Sequence, residues 1–176
     1  AYGPCAVQTE VEGVQVRIDE VTDYPFEETV RLEIQPEKAV RFRLMLRVPE
    51  WAADVNVEAG DAGVRRDEGF IVVEKEWRAG DTVEVDFAAP IRVARAVNGE
   101  VGLKRGPLLY ALPLPSEKKI LKRYGLKGFA DYQLTPAEGA QSRWDARLDG
   151  SQSDNAYGFH PVNRKTGDSK RPWKEP

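Results

Sequence analysis

The run Val40-Arg41-Phe42-Arg43-Leu44-Met45-Leu46-Arg47-Val48 decides the fold class. Apolar and charged side chains alternate along it with period two. Successive side chains of a strand point to opposite faces. Val40, Phe42, Leu44, Leu46 and Val48 therefore share one side, and Arg41, Arg43 and Arg47 the other. The first side is built for a core and the second for water. The pattern recurs through the first two thirds of the 176 residues. The sets Val14/Val16/Ile18, Val30/Leu32/Ile34 and Val83/Val85/Phe87 are expected to share one core with the Val40–Val48 face.

Residues 1–115 hold 18 of the 19 valines and 14 Lys+Arg against 21 Asp+Glu, whereas residues 116–176 hold one valine and 12 against 8. Valine suits a pleated, half-buried surface. The change near Pro115 therefore divides the chain into a β-sandwich core over 1–115 and a loop-rich extension over 116–176, the latter at most an incomplete second β region. Strands are expected near 6–11, 14–21, 29–35, 39–48, 53–58, 70–76, 82–88, 91–97, 100–105 and 108–114. Gly13, Pro36-Glu37-Lys38, Ala59–Gly63 and Arg78–Asp81 punctuate them as turns. Asn98-Gly99 is the sharpest hairpin signal, because a type I′ turn needs positive φ at both central residues. Short strands at this spacing, without an amphipathic helix, predict an all-β protein. A two-layer antiparallel β-sandwich of immunoglobulin or jelly-roll type is favoured over a barrel. In the extension, Ser116–Arg123 reads as a short helix with Ser116 as N-cap, and 149–155 and 163–171 read as loop.

Composition excludes several partners. A net charge of -3 and a pI near 5.4 give no concentrated positive field for nucleic acid or an anionic membrane. No apolar run approaches the ~20 residues that span a bilayer. The opening Ala1-Tyr2-Gly3-Pro4-Cys5 has neither the basic nor the apolar region of a signal peptide. One cysteine forms no intrachain disulfide.

Equipment for chemistry is scarce. Paired carboxylates are candidates for general acid–base work. Asp19, Glu20, Asp23, Glu27 and Glu28 gather around Tyr24-Pro25-Phe26, and they read as solvated strand-end charges. Cys5 reads as a small, buried or half-buried residue at a strand start, and His160 as a surface histidine. Asp149–Asn155 lacks the ligand spacing of an EF-hand. Trp51 and Trp77 fall at strand ends, where they cap the core while the indole N–H finds a carbonyl. Trp144 and Trp173, in the extension, are candidates for stacking a sugar ring, with core or inter-domain packing the favoured reading for each. Arg41, Arg43 and Arg47 form an outer basic stripe, expected to be countered by neighbours such as Arg31/Glu33 and Glu84/Asp86. No catalytic, cofactor or metal residue is assigned.

Four segments, in order, carry a family resemblance: Thr22-Asp23-Tyr24-Pro25-Phe26, Leu46-Arg47-Val48-Pro49-Glu50-Trp51, Trp77-Arg78-Ala79-Gly80-Asp81-Thr82-Val83 and Leu103-Lys104-Arg105-Gly106-Pro107-Leu108-Leu109-Tyr110-Ala111-Leu112. Over roughly residues 2–115 the chain resembles the non-catalytic C-terminal β-sandwich region of glycoside hydrolase family 127, the β-L-arabinofuranosidase-like proteins. The resemblance implies a catalytic (α/α)6 helical barrel upstream as partner, with a cysteine nucleophile beside a cysteine- and glutamate-held zinc. None of that set matches residues here, so no cofactor is implied in this chain. Cys5 stands where the family usually carries serine, and Pro113 where many members carry an acid. Relatives continue beyond Pro172-Trp173, so the resemblance implies, as an expectation, a piece of a longer protein. The function so implied is a non-catalytic domain supporting the barrel in plant-type glycan breakdown, with a homodimer formed through the parent as one arrangement. Two other readings stand beside it: an independent carbohydrate-binding module holding an oligosaccharide, and a generic protein-interaction sandwich, since one fold hosts many functions.

Overall fold

Alternating residues close into sheets when a second layer covers their apolar face, and the computed structural model shows that second layer. The structure describes residues 2–95, 97, 101–112, 114–144, 148–149 and 156–157. In chain order the strands are β1 (Cys5–Val11), β2 (Val14–Val21), β3 (Thr29–Pro36), β4 (Val40–Arg47), β5 (Asp54–Glu58), β6 (Gly63–Asp67), β7 (Phe70–Trp77), β8 (Asp81–Ala88), β9 (Ile91–Arg95), β10 (Val101–Arg105), β11 (Leu108–Tyr110), β12 (Ser116–Arg123) and β13 (Ala130–Pro136). One helical turn, α1 (Gln141–Trp144), follows.

A five-stranded sheet, β1-β2-β3-β8-β5, faces a three-stranded sheet, β4-β7-β6, and every pairing is antiparallel. The core between them is the one the periodicity requires. Val14, Val16, Val30, Leu32, Ile34, Val83, Val85 and Phe87 come from one layer, and Val40, Leu46, Ile71, Val73 and Trp77 from the other. Ile18, Phe42, Leu44 and Val48 pack half-buried against them. Each fully buried Val, Leu or Ile side chain contributes ~1.5–3 kcal/mol relative to exposure, so this interface dominates stability. Two-layer all-β architecture is thus the observed fold.

Trp77 is fully buried, and its indole Nε1–H donates to the Phe42 carbonyl at 3.0 Å, as expected of a strand-end cap. Turns fall where glycine permits positive φ. Gly13 (φ 73°) closes β1–β2, and Gly80 (φ 89°) turns the chain from β7 into β8.

A third sheet, β11-β10-β9, follows the core, and β12 pairs with β13 as a separate hairpin. Gly106-Pro107 forms the two-residue connection between Arg105 and Leu108, which pair across it. The Asn98-Gly99 turn lies outside the described residues. The Ser116–Arg123 segment is a strand, not the expected helix. Eight residues make too short a helix to persist alone, whereas Ala130–Pro136 offers an antiparallel partner from Ser116↔Pro136 to Arg123↔Ala130. A bulge between Ile120 and Lys122 interrupts the ladder, and Lys118 Nζ lies 3.8 Å from the Tyr132 ring centroid. Strand β6 falls at the end of a segment read as a turn. Its residues are mostly exposed and carry no apolar alternation to reveal it.

Candidate functional site

The five-stranded sheet carries β1 beyond the cover of the smaller sheet, and β1 is exposed along nearly its whole length. Between β1/β2 and the free edge of β4 a cleft of about 580 Å³ opens. Its apolar floor comes from inward-facing residues of both layers: Ile18, Leu32, Leu44 and Leu46. Tyr2, Tyr24 and Trp51 wall one end, and Glu20, Arg47 and Glu50 supply polar groups. The rings form one cluster. Tyr2 and Phe87 centroids are 5.1 Å apart, Tyr24 and Trp51 6.3 Å, and Trp51 meets Phe87 edge-on at 5.7 Å. The cluster forms because Trp51 ends the chain's exit from β4 while Tyr24 lies on the β2–β3 connection, at the same end of the sandwich.

Hydrogen bonds fix this end. The Tyr2 hydroxyl donates to the Arg47 carbonyl at 2.7 Å, and the Gly3 N–H donates to Glu20 Oε1 at 2.5 Å. Burial pushes the Tyr2 phenol up to about 12, with Glu20 and Tyr24 adding to the shift. Burial also raises the Glu20 carboxyl, partly offset by the Gly3 N–H, and raises Tyr24, partly offset by a hydrogen bond with the Trp51 side chain. Desolvation disfavours the charged form in each case. The cleft therefore offers ring faces, apolar floor and hydrogen-bonding groups: equipment for holding a partner.

The acids singled out in the sequence diverge. Asp19 turns to the outer face of β2 and pairs with Arg17 at 2.6 Å. Glu20, on the opposite face, lines the cleft. The Asp23 carbonyl accepts from the Phe26 N–H in the turn. Glu27 and Glu28 line a smaller crevice beside Trp51 and Gly106, where Glu28 pairs with Arg105. Cys5 starts β1 as expected but is exposed and not half-buried, because β1 is an edge strand and its partner layer stops at β4. A zinc site of the resembled family does not fit: among the described residues no three His, Cys, Asp or Glu side chains gather as metal ligands.

The arginine stripe meets different acids from those expected. Arg41 and Arg43 lie opposite Glu76 and Glu74 of β7, with Arg41 paired to Glu74 at 3.2 Å. Arg31, Glu33, Glu84 and Asp86 belong to β3 and β8 of the other layer. The Trp144 side chain, Trp173, His160 and residues 150–155 lie outside the described residues. Sequence reasoning missed the convergence of Tyr2, Glu20, Tyr24 and Glu50. Tyr24 and Glu50 stand in the family-like segments and Tyr2 and Glu20 outside them, and their meeting depends on how the two layers are offset.

This arrangement defines a class: a two-layer antiparallel sandwich with a mixed aromatic and acidic cleft at its open end. Residues 1–89 match the family model of the β-L-arabinofuranosidase GH127 middle domain, and the chain belongs to that family. The match is to a middle domain, so it supports the family and the sandwich but not a C-terminal position.

Solved structures share the fold. A GH127 β-L-arabinofuranosidase from Geobacillus stearothermophilus T6 superimposes with a TM-score of 0.57 at 23% identity, covering 77% of this chain and 29% of its own. A GH127 β-arabinofuranosidase gives 0.55 at 21% identity, covering 76% and 27%. A protein described as a glycoside hydrolase gives 0.53 at 23% identity, covering 76% and 26%. The chain thus spans less than a third of the length of each of these structures. No curated protein matches it.

Proposed function

We propose that this chain is the non-catalytic sandwich of a glycosidase of the β-L-arabinofuranosidase kind, and that it supports the helical catalytic barrel of its parent protein in glycan breakdown. One observation carries the reading. The family match over residues 1–89 begins before β1 and ends one residue after β8, so it spans both layers and the whole core between them. What the family holds in common here is the platform, and the barrel supplies the zinc and the cysteine nucleophile.

The test is hydrolysis of p-nitrophenyl β-L-arabinofuranoside by the purified chain, with and without added zinc. No turnover above buffer is expected. Turnover that persists after chelation and in Cys5→Ser would overturn the proposal. In a parent enzyme, deleting the residues equivalent to 1–89 is expected to lower the melting temperature of the barrel; an unchanged barrel would refute the supporting role.

A further inference from the structure

The open edge of β4 has a definite hydrogen-bonding state. The Val48 N–H donates to the Gly69 carbonyl at 2.8 Å, and this pair continues the β4–β7 register. In an antiparallel ladder, bonded pairs alternate with non-bonded ones. Val40, Phe42, Leu44 and Leu46 are therefore the residues bonded to β7. The N–H and C=O groups of Arg41, Arg43, Met45 and Arg47 point away from β7, along the free edge. One of them is already used in that way: the Arg47 carbonyl accepts the Tyr2 hydroxyl. Beneath the edge lies the cleft floored by Leu44, Leu46 and Ile18, and Met45 beside it is 53% exposed. Above it, Arg43 and Arg47 enter no ion pair among the described residues.

We propose that this edge accepts an added β-strand from a partner polypeptide, one with apolar side chains at alternate positions and carboxylates between them. The geometry matches both faces of such a strand. Its apolar side chains enter the cleft, and its carboxylates stand against Arg43 and Arg47. Backbone bonds to Arg41, Arg43 and Met45 supply affinity, and the alternating side chains supply specificity. A second copy pairing β4 to β4 is disfavoured, because it brings two arginine stripes together and like charges opposite one another are destabilising. This assignment goes beyond the glycosidase reading and stands on the edge geometry alone.

The test titrates the full chain with acetyl-Ser-Val-Glu-Val-Asp-Val-Ser-amide and follows the backbone amides by NMR. The expected result is saturable shifts at Arg41, Arg43 and Met45, with affinity at least tenfold above that of the peptide carrying lysine at both acidic positions. Arg43→Glu with Arg47→Glu is expected to reverse that preference. Met45→Pro removes an edge donor without removing a ladder bond, so the fold survives by circular dichroism while binding falls at least tenfold. Equal binding by a peptide N-methylated at its central residues would overturn the proposal. So would the absence of saturable shifts at millimolar peptide, or a concentration-dependent dimer that protects the same amides.

Discussion

Trp77 gives the sharpest test of the fold argument. It is fully buried, its indole N–H bonds the Phe42 carbonyl at 3.0 Å, and its ring lies 5.5 Å from that of Phe42. Trp77→Ala removes the largest fully buried side chain of the core. Truncations of this kind cost about 3–5 kcal/mol through lost transfer energy and the cavity left behind. The hydrogen bond adds little beyond that, since Phe42 faces Lys75 in a bonded ladder pair and its carbonyl keeps that partner. Trp77→Phe retains most of the volume and loses the donor, for a cost of about 1–2 kcal/mol. A small domain is stable by only ~5–15 kcal/mol, so the alanine variant sits near the threshold of folding. Urea unfolding followed by far-UV circular dichroism, which avoids dependence on the removed chromophore, reads the difference. With m near ~2 kcal/mol/M, the alanine midpoint falls by roughly 2 M and the phenylalanine midpoint by about a third as much. A loss below about 1 kcal/mol for alanine, at unchanged m, would refute the claim that Trp77 anchors the packing of the two layers.

Glu20 predicts a pH signature. Its carboxyl is raised in the fold by burial, so the folded chain holds this proton at pH values where the unfolded chain has released it. Stability from this group is therefore full below the ordinary carboxylate range and is lost as pH rises through the raised value. Glu20→Gln keeps an oxygen for the Gly3 N–H and cannot ionise. The difference in urea midpoint between variant and wild type should grow in favour of glutamine across that window, and a flat difference would contradict the assignment. Gly106 holds φ 57°, and a methyl group there meets Trp51 and Ala89 at an ordinary 3.6 Å. Gly106→Ala should cost about 1–2 kcal/mol through backbone strain alone, seen as faster amide exchange in β10 and β11 with β2 and β3 unchanged; a global loss would place the turn in the core unit.

The parts of the fold legible in the sequence are those with one buried and one wet face. Val14/Val16, Val30/Leu32/Ile34 and Val83/Val85/Phe87 could be assigned to the core because alternation leaves no other use for them. Strand β6 was hidden because an outer strand needs no buried residues of its own; Arg66 turns inward only to reach Asp54 and the Val55 carbonyl on the facing sheet. The Ser116–Arg123 strand was hidden because its partner lies beyond it, at Ala130–Pro136, and the choice between helix and strand was made by that pairing. The cleft was hidden for a third reason. Tyr2 belongs to the N-terminal arm and Tyr24 and Trp51 to two connections, and only the offset of the layers brings them together.

The two open sides of the sandwich are treated differently, and the contrast bears on the β4 edge. On the β5/β6 side, edge charges are spent on ion pairs: Arg66 of β6 reaches Asp54 of β5 in the other layer at 3.0 Å, and Arg65 pairs with Asp67 along β6 at 2.6 Å. Exposed pairs of this sort contribute little energy each, but their charges make that edge a poor template for further pairing. On the β1/β4 side, one bond, from the Tyr2 hydroxyl to Arg47, joins the N-terminal arm to β4, and Arg43 and Arg47 keep their charges free of ion pairs among the described residues. Charge that is spent internally on one edge is left outward on the other, above an apolar floor. Such an edge resists a copy of itself and suits a strand of opposite charge.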